Sequence, residues 1–317
     1  MHIGNPQPSR RSLWRLLGAR VSFLLLPVTL LPGSAARHGI WKHEGSLRNA
    51  LCAAFLFATL TSPALAQSPP NASAILSRFP LPGLDDGFVP QGLTVTGGDI
   101  LLGGYLWPLP GPQACRVYRL SPAGETKASR DIDAPCSHAG GLASASGRLF
   151  IADTKRLIEL DAQKLDTKRV WPLAKPLVGS FLAGRDGEIW IGDYLTRGEA
   201  KIYRIRLADL DKAEKTLAAS AASATLPIPH KTQGAAFAPD GSLWLSQSGQ
   251  TFGSITHHDG ATGTLLATYP APTGIEDIGF DAAGLLWASS ETGSRRWNKA
   301  KAPFPFVYSI DTRKLRP

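Results

Sequence analysis

The chain has 317 residues, 43% of them hydrophobic, and a net charge of +9, enough to bury a full single-domain core at a size that all-β folds commonly reach. Its first 66 residues hold seven of the 34 Lys and Arg but only one of the 25 Asp and Glu, so the remainder keeps a net charge of +3. The basic character belongs largely to the prefix, and without a run of Lys and Arg interleaved with aromatics nucleic-acid binding has no support.

Within that prefix an apolar run over residues 49–60 follows Arg48, and Ala64-Leu65-Ala66 supplies the small residues that a signal peptidase reads. Cleavage is predicted before Gln67. The run is too short to span a membrane, and residues 49–51 before Cys52 make no lipobox. Upstream, Arg10 and Arg11 precede a second apolar run over 21–31, which loosely resembles a twin-arginine signal. The alternative is that residues 1–44 stem from a mis-assigned start. Both readings send residues 67–317 to the periplasm or outside the cell, with no membrane span, as an expected monomer with a small-molecule ligand. Cys115 and Cys136 remain after cleavage. An even number in an exported chain predicts one disulfide, two reduced thiols being the alternative.

Residues 67–72, with Ser68-Pro69-Pro70, read as a mobile leader. Residues 73–79 form one strand without a hairpin partner nearby. A related pattern then recurs five times: QGLTVTGGDILL at 91–102, GGLASASGRLFI at 140–151, GSFLAGRDGEIWI at 179–191, QGAAFAPDGSLWL at 233–245 and IEDIGFDAAGLLWA at 275–288. The spacing is roughly 40 to 50 residues, the range of propeller blades. Each copy opens on small residues, where backbones crowd, reverses at a turn such as Asp186-Gly187 or Asp240-Gly241, and returns in a strand carrying Leu101, Phe150, Trp190, Trp244 or Trp287. Third strands with period-two alternation follow at 117–120, 157–160, 202–205, 254–257 and 307–310. Fourth strands are legible at 168–171 and 265–269 only, and 207–222 reads as helix. Insertions at 106–113 and 293–305 share one face. The fold is therefore an all-β, five-bladed β-propeller over residues 73–317, with the N-terminal strand completing the last blade; six blades is the alternative.

These motifs, a Pro-Asp-Gly or Asp-Gly turn followed by Leu-Trp and a small or aliphatic residue, resemble the repeats of the regucalcin/gluconolactonase family and of NHL-repeat and strictosidine-synthase-like propellers. The lactonase branch implies hydrolysis of sugar lactones around a divalent cation at the channel mouth, held by an early Glu and by Asn and Asp at strand starts. This chain instead carries Pro90-Gln91-Gly92, Thr232-Gln233-Gly234 and Glu276-Asp277, with only Asp85 or Asp86 in place of the early Glu.

Topology brings the start of each innermost strand and the end of each second strand to one end of the disc. The first set is Gln91, His138, Ser180, Gln233 and Glu276; the second is Tyr105, Asp153, Asp193 with Tyr194, Gln247 with Ser248, and Glu291. Adjacent strand residues point to opposite sides, so only one of Glu276 and Asp277 is expected to face the channel, and Ile275 and Ile278 favour Glu276. With Asp153 and Asp193 it is a candidate ligand of Ca²⁺ or Mg²⁺, or it acts as a general base if burial raises its pKa. The alternative is that Glu276 or Asp277 caps backbone amides. His138 is the candidate for proton transfer, or else a buried structural histidine. Gln91, Tyr105, Ser180, Tyr194, Gln233 and Glu291 are candidate ligand-binding residues, and Lys231, beside His230, offers positive charge to an acidic ligand. His257 and His258 read as structural. No zinc spacing or nucleophile elbow is present. The expected function is small-molecule binding at the channel mouth, as a divalent-metal-dependent lactone or ester hydrolase, against a non-catalytic propeller that binds a protein or cell-envelope glycan.

Overall fold

A computed structural model of the chain describes residues 68–108, 114–249 and 251–317. The expected export segments, and residues 109–113 of the first insertion, lie outside the described residues.

Strand β1 (Ile75–Pro80) comes first. Four blades follow in chain order: β2 (Phe88–Thr96) to β5 (Thr126–Asp131) through β3 (Asp99–Leu106) and β4 (Cys115–Leu120); β6 (Gly141–Ala145), β7 (Arg148–Asp153), β8 (Arg156–Leu160) and β9 (Thr167–Pro172); β10 (Phe181–Arg185), β11 (Glu188–Gly192), β12 (Lys201–Arg206) and β13 (Ala224–Pro227); β14 (Thr232–Phe237), β15 (Leu243–Gln247), β16 (Gly253–His258) and β17 (Leu265–Ala271). The fifth consists of β18 (Ile275–Phe280), β19 (Leu286–Ser290), β20 (Phe306–Ile310) and, outermost, β1. The innermost strands touch around a closed circuit, β2 to β6, β10, β14, β18 and back to β2. This is a five-bladed β-propeller.

The N-terminal strand seals the ring as its sequence predicted. β1 runs antiparallel to β20 with Phe79 opposite Val307, and the hydroxyls of Ser77 and Ser309 lie 2.7 Å apart. The stretch read as a leader ends in an anchored residue. The Asn71 amide donates to Pro270 O at 2.9 Å and accepts from Arg316 N at 2.9 Å.

The apolar core is five wedges, one between each pair of neighbouring blades, rather than a single centre. Phe150, Leu157 and Trp171 of the second blade meet Leu182, Ile189 and Ile191 of the third; Phe181 and Trp190 meet Ala235 and Leu245 of the fourth. The tryptophans of the second strands fill these gaps: Trp190 lies 5.3 Å from Phe237 and Trp244 lies 6.0 Å from Phe280, ring centre to ring centre. The turns form where Gly187 and Gly241 adopt φ of +74° and +85°, a region that a side chain disfavours.

Two fourth strands escape the sequence pattern. Five of the six residues of β5 and three of the four of β13 are exposed, so no alternation marks them. The helix expected over 207–222 is shorter: α1 (Leu207–Lys212) and a 3-10 turn (Ala219–Ala221), held by Leu207, Leu210 and Leu217 in the wedge between the second and third blades. Cys115 and Cys136 are joined in a disulfide that ties β4 to the segment before β6.

Candidate functional site

Three innermost strands carry a one-residue bulge at their start. Pairing slips between Pro90 and Leu93 in β2, between Thr232 and Gly234 in β14, and between Ile275 and Ile278 in β18. A bulge breaks strand alternation and re-aims side chains. The residues freed are Gln91, Gln233 and Glu276, and all three line one cavity at the channel mouth, about 380 Å³ in volume. Tyr105, His138, Ser180, Tyr194 and Glu291 line it too, as the topology of strand starts and ends required.

Of the adjacent pair Glu276 and Asp277, only Glu276 is part of the cavity lining, and Asp277 caps backbone amides. Glu276 lines the cavity, whereas Asp277 reaches across the axis beneath it. Asp277 Oδ2 accepts from Leu93 N at 2.9 Å and Leu142 N at 3.0 Å, and Oδ1 accepts from Ala235 N at 3.3 Å and Ile278 N at 3.0 Å. One carboxyl thus gathers amides from four blades. Glycine is required beside it, since a Cβ on Gly234 would lie 2.5 Å from Asp277 Oδ1. Complete burial pushes the Asp277 pKa well above its ordinary value, against the downward pull of the four amides. With two N–H donors on each oxygen, a proton there would face donors and no acceptor.

Two carboxyl groups, Glu276 and Glu291, share the lining of this cavity. Glu276, 1% exposed, is pushed well above the ordinary range by burial and by the neighbouring charge of Glu291. Burial raises Glu291 to about 7, against opposing hydrogen bonds from Gln91 and Glu276. Like charges this close favour a proton on one of the two. The glutamines fix the pair: Gln91 Nε2 donates to Glu291 Oε2 and Gln233 Nε2 to Glu276 Oε1, each at 3.1 Å. Gln233 also donates to Ser248 Oγ at 3.0 Å.

The rest of the lining is aromatic and cationic. Tyr105 and His138 stack at 5.4 Å. Burial raises the Tyr105 phenol to about 12 and lowers the His138 pKa, so both are neutral at pH 7. Arg296 donates to the Tyr105 hydroxyl, and its guanidinium lies 5.4, 4.9 and 5.3 Å from the rings of Tyr105, Trp107 and Trp297. Arg296 and Trp297 both line the cavity. Both belong to the insertion at 293–305, and its placement on the face of the channel mouth was the signal available in the sequence.

The structure does not bring together the carboxylates proposed for a cation. Asp153 Oδ1 accepts from Ser137 N and His138 N at 2.9 and 2.8 Å, its Oδ2 faces Arg156, and Asp193 Oδ1 accepts from Lys201 N at 2.8 Å. These carboxylates satisfy backbone amides at strand ends and are absent from the cavity lining. Among the described residues, Cys115, Cys136 and Asp153 form the one group of three with mutually close ligand atoms, and its two sulfurs are consumed by the disulfide. Asp153, Asp193 and Glu276 therefore do not fit a shared divalent cation. Asp86 pairs with Arg116, away from the site. Gln247 bonds to Thr256 within its sheet, and His257 stacks on Trp244 at 4.3 Å, consistent with a structural role. Among the described residues no helix is long and apolar enough to cross a membrane.

No family matches the sequence, and no curated protein does. Solved structures that resemble the chain include hydrazine synthase of Kuenenia stuttgartiensis, with a TM-score of 0.41, 10% identity, and coverage of 70% of this chain and 63% of that one. Another is the Dos1 propeller, with a TM-score of 0.37, 10% identity and 77% of each chain covered. A third is a luciferin-regenerating enzyme, with a TM-score of 0.43, 12% identity, and 76% and 96% covered. The chain thus spans less than two thirds of the hydrazine synthase chain.

Proposed function

We propose that this chain is an exported propeller that binds a small ester or lactone at the channel mouth and hydrolyses it by acid–base chemistry at the Glu276–Glu291 pair. The observation that carries the reading is two carboxyl groups lining one cavity, one of them fully buried and each held by a glutamine amide. Such a pair supplies a base and an acid at the same pH. The ionised member takes a proton from water as its oxygen attacks the acyl carbon. The protonated member gives its proton to the departing alkoxide as the acyl C–O bond breaks, leaving an acid and an alcohol. The Tyr105 hydroxyl, kept protonated by burial, is a hydrogen-bond donor for the tetrahedral oxyanion. His138, stacked on Tyr105 and held neutral, packs the opposite side of the ligand, with Ser180 and Tyr194 at the rim. This is the lactonase-type activity that the regucalcin-like repeats imply, run without a cation, because the donor set for one is not assembled.

The Cys115–Cys136 disulfide supports an oxidising compartment, the periplasm or the exterior. A second reading, glycan binding without turnover, draws on the exposed rings of Trp107, Tyr194 and Trp297 around the mouth. The deciding experiment follows acid release from a panel of lactones and simple esters in a pH-stat, with and without chelator. Turnover that withstands chelator and is lost in both Glu276→Gln and Glu291→Gln supports the reading. Absence of turnover across the panel refutes hydrolysis, and activity retained in both variants refutes its assignment to the carboxyl pair.

A further inference from the structure

A second cavity, of about 650 Å³, opens beside the first, and the two share Tyr194, Glu291, Arg296 and Trp297 as a common wall. Its far side is made by Lys231, Ser248, Lys299 and the backbone around Gly274. Its charge is opposite in character to that of the carboxyl pair. Lys231, Arg296 and Lys299 line it against the single carboxyl of Glu291. None of the three cations has a carboxylate within 4.0 Å among the described residues, although most arginines on the disc do, Arg116, Arg119, Arg148, Arg204 and Arg313 among them.

The backbone holds this arrangement in place. Lys231 sits at φ +61° in the segment just before β14, a conformation that costs energy in a residue other than glycine, and its N–H bonds to Leu195 O at 2.8 Å. Arg296 is braced by its three aromatic neighbours and by the Tyr105 hydroxyl. Three positive groups with no carboxylate within 4.0 Å among the described residues, around a concave wall large enough for a ligand arm, attract an anion.

We infer that the second cavity is an oxyanion subsite, so that the molecule acted on at Glu276 and Glu291 carries a carboxylate or a phosphate on the arm that passes Arg296 and Trp297. The inference rests on the proposed ligand site at the channel mouth and adds the chemical class of the ligand. Arg and Lys recognise both anions by the same charge-assisted hydrogen bonds, and the shared wall sets the geometry: the neutral head turns to the carboxyl pair and the charged tail to Lys231 and Lys299. Trp297 and Tyr194, 43% and 38% exposed, flank the passage between the two.

Isothermal calorimetry on the purified protein with three matched probes, glucose, glucuronate and glucose 6-phosphate, tests this. At least one anionic sugar is expected to bind about tenfold more tightly than glucose, and the preference should shrink as salt is raised. The glucuronate and phosphate arms identify which oxyanion the cavity prefers. In the double variant Lys231→Gln, Lys299→Gln the anionic sugars should lose most of their advantage over the neutral one, Arg296 alone remaining. Both side chains are exposed, and an unchanged melting temperature verifies that the variant is folded. Equal binding of all three probes to the native protein, binding of none of them, or a preference that survives the double variant undiminished overturns the inference. Each of these outcomes leaves the hydrolytic reading to its own lactone assay, which fails independently.

Discussion

Replacing Asp277 tests the account of the channel most directly. Its two oxygens take four backbone amides from four blades, at 2.9 to 3.3 Å. In Asp277→Asn one oxygen becomes an NH₂ that faces two amide donors. Two buried donors without an acceptor cost about 1–3 kcal/mol each, so the substitution should remove roughly 2–6 kcal/mol of stability. Asp277→Ala strands all four, roughly 4–12 kcal/mol by the same scale, which approaches the whole stability of a typical domain, about 5–15 kcal/mol. The alanine variant should fail to accumulate as folded protein. Guanidinium denaturation followed by circular dichroism reads the asparagine variant at equal slope. The competing possibility is a protonated Asp277, which asparagine would mimic closely. A cost under about 0.5 kcal/mol would therefore refute the reasoning that the carboxyl acts as an acceptor on both oxygens.

Other consequences follow from the carboxyl pair, the disulfide and the closing strand. Glu276 and Glu291 have folded-state pKa values above their unfolded ones, so their contribution is fully present below the unfolded value, near 4.5, and is lost as pH rises through about 7. Stability measured by urea titration should fall across that window, and the fall should flatten in Glu291→Gln. Reducing the Cys115–Cys136 bridge, which spans 21 residues, should cost about 3 kcal/mol by loop-closure entropy, read as a lower melting temperature with reductant. Deleting residues up to Pro80 strips β1 from β20 and leaves an open sheet edge. The truncated chain should aggregate or melt well below the intact one in a thermal scan with light-scattering detection.

The sequence by itself determined the architecture. Five spaced copies, each with a small-residue start, a glycine turn and a large apolar residue on the second strand, already specify five sheets, because wedge-shaped gaps between blades must be filled by such side chains at equivalent places. The orphan strand at 73–79 and the incomplete last blade likewise foretold the closure. Strands β5 and β13 stayed hidden because nearly all of their residues are exposed, which leaves no alternation to read. At the channel mouth the sequence could say which residues share an end of the disc, since strand direction alone fixes that. Tertiary structure decided which of them meet. The bulges in β2, β14 and β18 are properties of pairing between strands, and they turn Gln91, Gln233 and Glu276 into one cavity while sending Asp277 across the axis. Asp153 and Asp193 went instead to backbone amides at their own strand ends, a choice that depends on which unpaired N–H lies nearest in three dimensions. Arg296 joined the site from an insertion whose path no local pattern encodes.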